Sequence, residues 1–240
     1  MCQNKVQFSI VIPVYNRSTL IVETIDSVLK QSFNNYEIII INDGSNDNTL
    51  QVLSQFNNKI LLINQENQGA EIARNAGVKI ASGEYVVFLD SDDILLPHAL
   101  FCYNNLIIQT DYPAFVLANG TGFKQSEELN SFNRYRNEPV FYTYYKDFFS
   151  KKEAVWLSTS FIVIRRSLWS IDTEFRNGTF PVDDLDFVLR VGTLSSFIKM
   201  KSPVTVGYRY HGGNSINDIK KNIQKIHDLL DYERKCEVIA

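Results

Sequence analysis

Four apolar, largely β-branched runs punctuate the first ninety residues: "FSIVIPV" (8–14), "YEIIII" (36–41), "KILLIN" (59–64) and "EYVVFL" (84–89). No other feature constrains the fold as strongly. A strand with one wet face alternates apolar and polar residues, whereas a continuous apolar run is buried on both faces. Between the runs the period changes. In "STLIVETIDSVLKQS", Ile21, Ile25, Val28 and Leu29 fall at helical spacing, with Ser18 as the expected N-cap. "NDGSNDNT" is a turn cluster that caps a helix through about Phe56, and "GAEIARNAGVKIA" (69–81) is a third helix, broken by "SG". Strand and helix alternating in this way predict an α/β protein: a mostly parallel central sheet with helices on both faces.

Such sheets bind ligands beyond the carboxyl ends of their strands. "PVYN", "NDGS", "NQENQG" and "DSDD" all lie at those ends, so four polar loops are expected on one rim. The second half is less regular. A strand is expected at 114–119, polar loop over 120–138, and an aromatic-rich stretch at 140–149. A strand and short helix follow over 160–169, a helix over 182–191 and a half-exposed strand over 204–211. From Asn217 onward Ile219, Ile223, Ile226 and Leu230 mark an amphipathic helix. Packing on the domain is its default, with dimerisation and contact with a membrane as the alternatives.

The chain of 240 residues can bury roughly 70–75% of its unfolded surface, so its core needs no disulfide or structural metal. A net charge of −3, with no Lys/Arg run, argues against nucleic-acid binding. Cys2, Cys102 and Cys236 are widely spaced and form no CxxC pair, which reads as free thiols in a reducing compartment. The start of the chain has no signal-peptide pattern, and no run reaches the ~18 apolar residues of a spanning helix. A cytoplasmic protein is expected, with work at the inner face of a membrane left open.

"FLDSDD" (88–93) carries the chemistry. Three carboxylates in four residues repel one another, yet they follow a buried strand. Oxygen-rich clusters of this kind suit Mg²⁺ or Mn²⁺, with substrate phosphates completing the shell. At the end of the second strand, Asp43 can accept a hydrogen bond from a ribose hydroxyl or a base N–H, and Tyr15 can stack on a base. Turn formation is the simpler account of either segment alone. The aromatics of 141–149 and Trp156 offer a flat apolar platform for a ligand, or else pack as core.

The order of these pieces is more specific than any one of them. "SIVIPVYN", "IIINDGSNDNT", "NQGAEIARNAG" and "ASGEYVVFLDSDD" closely resemble the nucleotide-binding half of the family 2 glycosyltransferases, which have the GT-A fold. The resemblance implies one GT-A domain: about 8–110 for the nucleotide-sugar, about 111–216 for the acceptor, and 217–240 as the C-terminal helix. It places Pro13, Tyr15, Asn16 and Asp43 around base and ribose, and Arg74 and Asn75 near the diphosphate or sugar. Asp90, Ser91 and Asp92 become the Asp-x-Asp motif, with Asp92 or Asp93 as the closer metal ligand. Asp183-Asp184 stands where the family usually has Glu-Asp, which makes Asp184 the candidate general base; Arg190 follows as a supporting residue. "YRYHGGNS" resembles the closing segment, which implies His211 as a metal or diphosphate contact and Arg209 facing the phosphates. The implied activity is metal-dependent, inverting transfer of a sugar from a nucleotide-sugar, with uridine diphosphate favoured, to a glycan or lipid-linked glycan acceptor. The rivals are a non-catalytic nucleotide-sugar-binding domain and a sugar-nucleotide pyrophosphorylase, although "PVYNRS" has no glycine for a triphosphate loop. No Gln-x-x-Arg-Trp motif is present, which disfavours a processive polymerase.

Overall fold

A computed structural model describes residues 7–133, 139–151, 153–170, 172–214 and 217–237, with side chains to 231. Cys2 and the Cys236 thiol lie outside the described residues; Cys102 is a free, buried thiol. The first half follows the alternation of the sequence. Strand β1 (Phe8–Val14) is followed by α1 (Ile21–Leu29), β2 (Tyr36–Asp43) and α2 (Thr49–Leu53), which continues as a 3-10 turn over Ser54–Phe56. Then come β3 (Leu61–Gln65), α3 (Ala70–Ile80), β4 (Tyr85–Phe88), the two-residue β5 (Ile94–Leu95) and α4 (Ala99–Gln109). β1 lies between β2 and β4, and the β3-β2-β1-β4 block is parallel throughout.

Side chains along a strand alternate between faces, so a sheet covered on both sides needs apolar residues at every position. Ile10, Ile12, Ile38 and Ile40 pack with Ile21, Ile25 and Val28 of α1 and with α4. The intervening Val11, Ile39 and Ile41 pack on the opposite face with Ala73 and Val78 of α3. Each fully buried side chain of this size contributes about 1.5–3 kcal/mol. Pro13 fits because β1–β4 pairing stops at Val11 opposite Phe88. Its missing N–H points to the β4 side at the level where β4 has already turned away, so no ladder bond is lost.

The second half adds β6 (Phe115–Leu117), β7 (Gly120–Phe123), β8 (Phe141–Tyr145) and β9 (Ile162–Arg165). It ends with α5 (Asp183–Leu194), β10 (Phe197–Ser202), β11 (Val206–Arg209) and α6 (Ile219–Glu237). The large sheet runs β3-β2-β1-β4-β9-β6-β10-β8, with β9 antiparallel to both neighbours and β8 antiparallel to β10. A second sheet, β5-β11-β7, folds the chain after β10 back over the segment that follows β4.

Several expectations need correction. Ser18 is no cap: α1 opens at Ile21 without a side-chain cap, and the Ser18 amide donates to Asp47 Oδ2 at 3.3 Å. The expected loop over 120–138 contains β7 and a 3-10 turn at Ser126–Ser131. A Cβ on Gly120 would lie 2.3 Å from the Phe161 ring, and one on Gly122 2.1 Å from Tyr210. This strand uses glycine for close approach, which erases its apolar signal. β10 was hidden by Lys199 and Lys201. β11 is largely buried, not half exposed. On α6, Ile219, Ile223, Ile226 and Leu230 face away from the domain, so the default packing of that stripe is not what forms. The side toward the domain carries Lys225, whose Nζ donates to the Gly178 carbonyl at 3.0 Å, and Lys221, whose Nζ lies 5.4 Å from the Phe180 ring centroid.

Gly77 shows how tightly α3 meets the sheet, since a Cβ there would lie 2.4 Å from Val11 Cγ1. Alanine gains about 1 kcal/mol in helix propensity, but overpacking a buried site costs about 1–3 kcal/mol. Val11 is enclosed between strands and helix, so the clash should win. Gly77→Ala is expected to lower stability by about 1–2 kcal/mol in urea unfolding.

Candidate active site

The carboxyl ends of β1, β2, β3 and β4 converge on a cavity of about 410 Å³ lined by Pro13, Tyr15, Arg17, Asp43, Asn67, Glu71, Arg74, Asp90, Ser91, Asp92, Phe180 and Tyr208, among others. A larger cavity of about 770 Å³ lies between α5, α6 and residues 172–179, away from the acidic turn. Its arginines are already engaged: Arg176 and Arg190 both bind Asp186, at 3.2 and 2.8 Å, and Arg190 also donates to the carbonyls of Asp172 and Glu174. The smaller cavity, where ionisable groups face open space, is the candidate site.

Arg74 organises it. Projecting from α3 and 4% exposed, it donates from Nη1 to Asp183 Oδ2 at 2.6 Å and from Nη2 to Asp90 Oδ1 at 2.7 Å. Nη2 also reaches Thr159 Oγ1 at 3.2 Å, and the guanidinium lies 5.2 Å from the Phe175 ring centroid. Burial opposes the charge, but Asp90 and Asp183 outweigh it and hold the pKa above the ordinary arginine value. The bridge joins the turn after β4 to the start of α5. Thr159 completes the link by donating to Asp90 Oδ2 at 2.7 Å.

The acidic turn divides into inward and outward members. Asp93 is buried behind the cavity, where Oδ2 accepts from Ser160 Oγ at 2.6 Å and Oδ1 from the Arg209 amide at 3.0 Å. Burial, then Asp92 and Asp90, push its pKa well above the carboxylate range. The expectation of Asp93 as a metal ligand does not fit this placement. Asp92 does face the cavity: its Oδ2 lies 2.9 Å from His211 Nε2 and 3.5 Å from Arg17 Nε. His211 Nδ1 accepts from the Gly213 amide at 3.1 Å, so Nε2 carries the proton shared with Asp92. Among the described residues no group of three or more His, Cys, Asp and Glu is arranged to hold a metal ion. The Asp92–His211 pair brings an oxygen donor that lines the cavity within 2.9 Å of a nitrogen donor. That suits a divalent cation which takes the place of the shared proton and completes its shell from phosphate and water.

Asp43 lines the cavity but is 3% exposed, accepting from Gln65 Nε2 (2.7 Å), the Gln68 amide (2.9 Å) and the Gly69 amide (2.8 Å). It therefore fixes the β3–α3 loop as well as facing a ligand. Tyr15 is 43% exposed at the cavity edge. At the start of α5, Asp183 is buried on Arg74, and burial lifts its pKa despite that partner. Asp184 is half-buried beside it and accepts from the Leu185 amide at 2.7 Å. Burial first, and the Asp183 charge second, raise its pKa to about 7.

Other expected site residues turn elsewhere. Asn16 Oδ1 accepts from the Asn46 amide, so it pins the loop after β2. Asn75 clasps the Phe175 backbone through both amide atoms, at 2.8 and 2.9 Å. Arg190 is bound up with Asp186. Arg209 binds Glu23 at 2.6 Å and the Asp92 carbonyl at 2.8 Å, and stacks on Phe123, so it braces the acidic turn from behind instead of facing phosphates. Trp156, 39% exposed, packs edge-on against Phe161 and Tyr208, one layer outside the cavity. Arg17, Asn67, Glu71, Phe180, Tyr208 and Asn214 also line the cavity, beyond the residues the sequence points to. Glu71 carried a legible signal, being a charge one turn from Arg74 on the same helix face.

An open α/β sheet with its cleft outside the carboxyl ends of parallel strands defines the doubly wound class, which holds ligands at that rim. A family model for glycosyl transferase family 2 matches residues 9–171. WfaP of Escherichia coli, a UDP-Glc:alpha-D-GlcNAc-diphosphoundecaprenol beta-1,3-glucosyltransferase, is 30% identical over 243 residues, 92% of this chain and 84% of its own length. Glycosyltransferase GlyG of Streptococcus pneumoniae is 42% identical over 91 residues, 36% of this chain and 30% of GlyG. The matches likewise span less than a third of several other relatives, and only 14% of a Rickettsia bellii glycosyltransferase. The crystal structure of Staphylococcus aureus TarS 1–349 with UDP-GlcNAc superposes with a TM-score of 0.67 at 20% identity, over 93% of this chain and 65% of that one, which is a likeness of fold. The chain belongs to glycosyl transferase family 2, and its fold is GT-A.

Removing one partner of a buried ion pair costs about 3–5 kcal/mol because the other charge is left uncompensated. Arg74→Met strands both Asp90 and Asp183, so denaturant unfolding should show a loss of about that size.

Proposed function

We propose that this chain transfers a hexose from a uridine diphosphate sugar to a hydroxyl of a lipid-linked glycan, with inversion at the anomeric carbon. The observation that carries the reading is the Arg74 bridge, which ties Asp90 of the donor-side turn to Asp183. It holds the neighbouring Asp184, with its pKa of about 7, next to the donor cleft. WfaP, which is similar over nearly the whole chain, supports the choice of donor and acceptor.

In this reading the uracil lies against Tyr15 and Pro13, with Asp43 and the loop it fixes at the base and ribose. The diphosphate lies toward Arg17, Asp92 and His211. Asp92 and His211 would hold Mn²⁺ or Mg²⁺, which when bound neutralises charge on a departing diphosphate. Asp184 accepts the proton of the acceptor hydroxyl as that oxygen attacks the anomeric carbon. The bond from that carbon to the diphosphate oxygen breaks on the opposite face, so an α-linked donor gives a β-linked product. Asp183 cannot serve as the base, since its carboxylate is spent on Arg74. Much of the rate would come from holding donor and acceptor in line.

A base must be ionised, so kcat/KM should rise with pH through about 7 and level off above it. Asp184→Asn should keep UDP-sugar affinity and lose transfer by at least about 10²-fold. Stability should move the opposite way. A carboxyl with a raised folded-state pKa favours the folded state at low pH, and that contribution is lost as pH rises toward the folded value. The variant's melting temperature should therefore gain on wild type between about pH 4 and 7. Transfer by Asp184→Asn at near wild-type rate would remove the base assignment.

A lipid-linked acceptor also gives the exposed stripe of α6 an occupant. Ile219, Ile223, Ile226 and Leu230 lie along one side, flanked by the exposed Lys220, while Lys221 and Lys225 face the domain. No helix among the described residues is long and apolar enough to cross a membrane, so the contact would be interfacial. The chain should float with vesicles containing anionic lipid, and Ile223→Glu with Ile226→Glu should abolish this while leaving UDP binding intact. A wild-type dimer that ignores vesicles and is split by the same changes would assign the stripe to self-association.

A further inference from the structure

Glu71 is a carboxylate that the proposed chemistry does not use. It sits in the first turn of α3, is 3% exposed and lines the candidate donor cavity. Its Oε1 accepts from the Phe180 amide at 2.8 Å, which fixes the side chain and ties residue 180 to the cavity wall. Its Oε2 has no hydrogen-bond donor among the described residues. The residue before the helix, Gly69, has φ of 96°, and a Cβ there would lie 3.0 Å from Oε2, so glycine keeps this oxygen uncovered. Arg74, one turn along, does not satisfy it, because its two terminal nitrogens go to Asp183, Asp90 and Thr159.

We propose that Glu71 is a specificity-determining residue: its uncovered Oε2 accepts a hydroxyl of the donor sugar, and its charge turns the site against donors whose sugar bears a carboxylate. This rests on the donor-site reading above. The cavity's other ends favour different parts of the donor. Tyr15, Pro13 and Asp43 form one end, suited to a flat base. Arg17 stands by Asp92 and His211 at another, where a negatively charged diphosphate is compensated. At Glu71 a phosphate oxygen would meet an anion at close range in a water-poor space, where repulsion is strong. A neutral hydroxyl would instead donate to Oε2, making the charge-assisted bond the carboxylate lacks. A uronic acid turned to the same place would bring carboxylate against carboxylate.

Calorimetric titration of wild type and Glu71→Gln with UDP, UDP-glucose and UDP-glucuronate tests this. Glutamine keeps an oxygen for the Phe180 amide and removes the charge. Wild type should prefer UDP-glucose over UDP-glucuronate by at least about tenfold, the worth of one charge-assisted hydrogen bond. In Glu71→Gln the gap should close by about that factor while affinity for UDP alone stays within about twofold. Glu71→Asp, still charged, should continue to reject UDP-glucuronate. Equal losses for UDP and UDP-glucose would make Glu71 merely a tether for Phe180 and overturn the inference. So would an unchanged preference in Glu71→Gln. Failure of wild type to bind any of the three would overturn the donor-site reading, and this inference with it.

Discussion

The buried guanidinium of Arg74 is the interaction on which the site depends. It is nearly inaccessible to water and donates to two carboxylates that belong to distant parts of the chain: Asp90, sixteen residues on, and Asp183, 109 residues on. A single buried cation between two anions is costly unless its geometry is satisfied, and one removed partner leaves a stranded charge. That cost makes the bridge specific. The start of α5 settles where Asp183 meets Arg74, and Asp184 is thereby set close to Arg74 and Asp90 at the candidate site.

The second sheet plays the same part for the acidic turn. Pairing of β5 with β11 sets Val206 opposite Leu95 and Gly207 opposite Ile94, which carries Arg209 and His211 back over residues 92 and 93. Arg209 then binds the turn through the Asp92 carbonyl, while His211 meets the Asp92 carboxylate. Ser160, next to the Thr159 that serves Arg74, accepts from the Asp90 amide at 3.0 Å and donates to Asp93. The turn is therefore held from three directions by backbone and hydroxyl partners, and only Asp92 of its last two carboxylates is left facing the cavity.

Much of the fold was legible because its physics is periodic. β1, β2 and β4 read as continuous apolar runs because helices cover both of their faces. β7 and β10 did not, since one trades side chains for close approach at Gly120 and Gly122 and the other carries lysines. The site was legible at the level of loops and less so at the level of atoms. Pro13, Tyr15, Asp43, Asp90, Ser91 and Asp92 line the cavity as their positions at strand ends imply, and Arg74 reaches it from α3. Asn16, Asn75, Asp93, Arg190 and Arg209 are spent on backbone and ion-pair partners. A polar residue that holds a loop and one that holds a ligand share composition and spacing. Only the partner distinguishes them, and in most of these cases the partner lies far away in sequence.

Such spending has an energetic logic. Asp90, Asp92, Asp93, Asp183, Asp184 and Glu71 crowd around few cations, and burial raises the pKa of Asp93, Asp183 and Asp184. Carboxylates gathered against their own repulsion store free energy that a bound cation or a hydroxyl donor would release. Residues such as Arg209 and Ser160 make this arrangement persist without a ligand, and for that reason they cannot also be ligand contacts. The acidic groups that this framework does not use are Asp184, the Asp92–His211 pair and the Oε2 of Glu71. In the proposed reading they would serve, respectively, an acceptor proton, a diphosphate and a sugar hydroxyl.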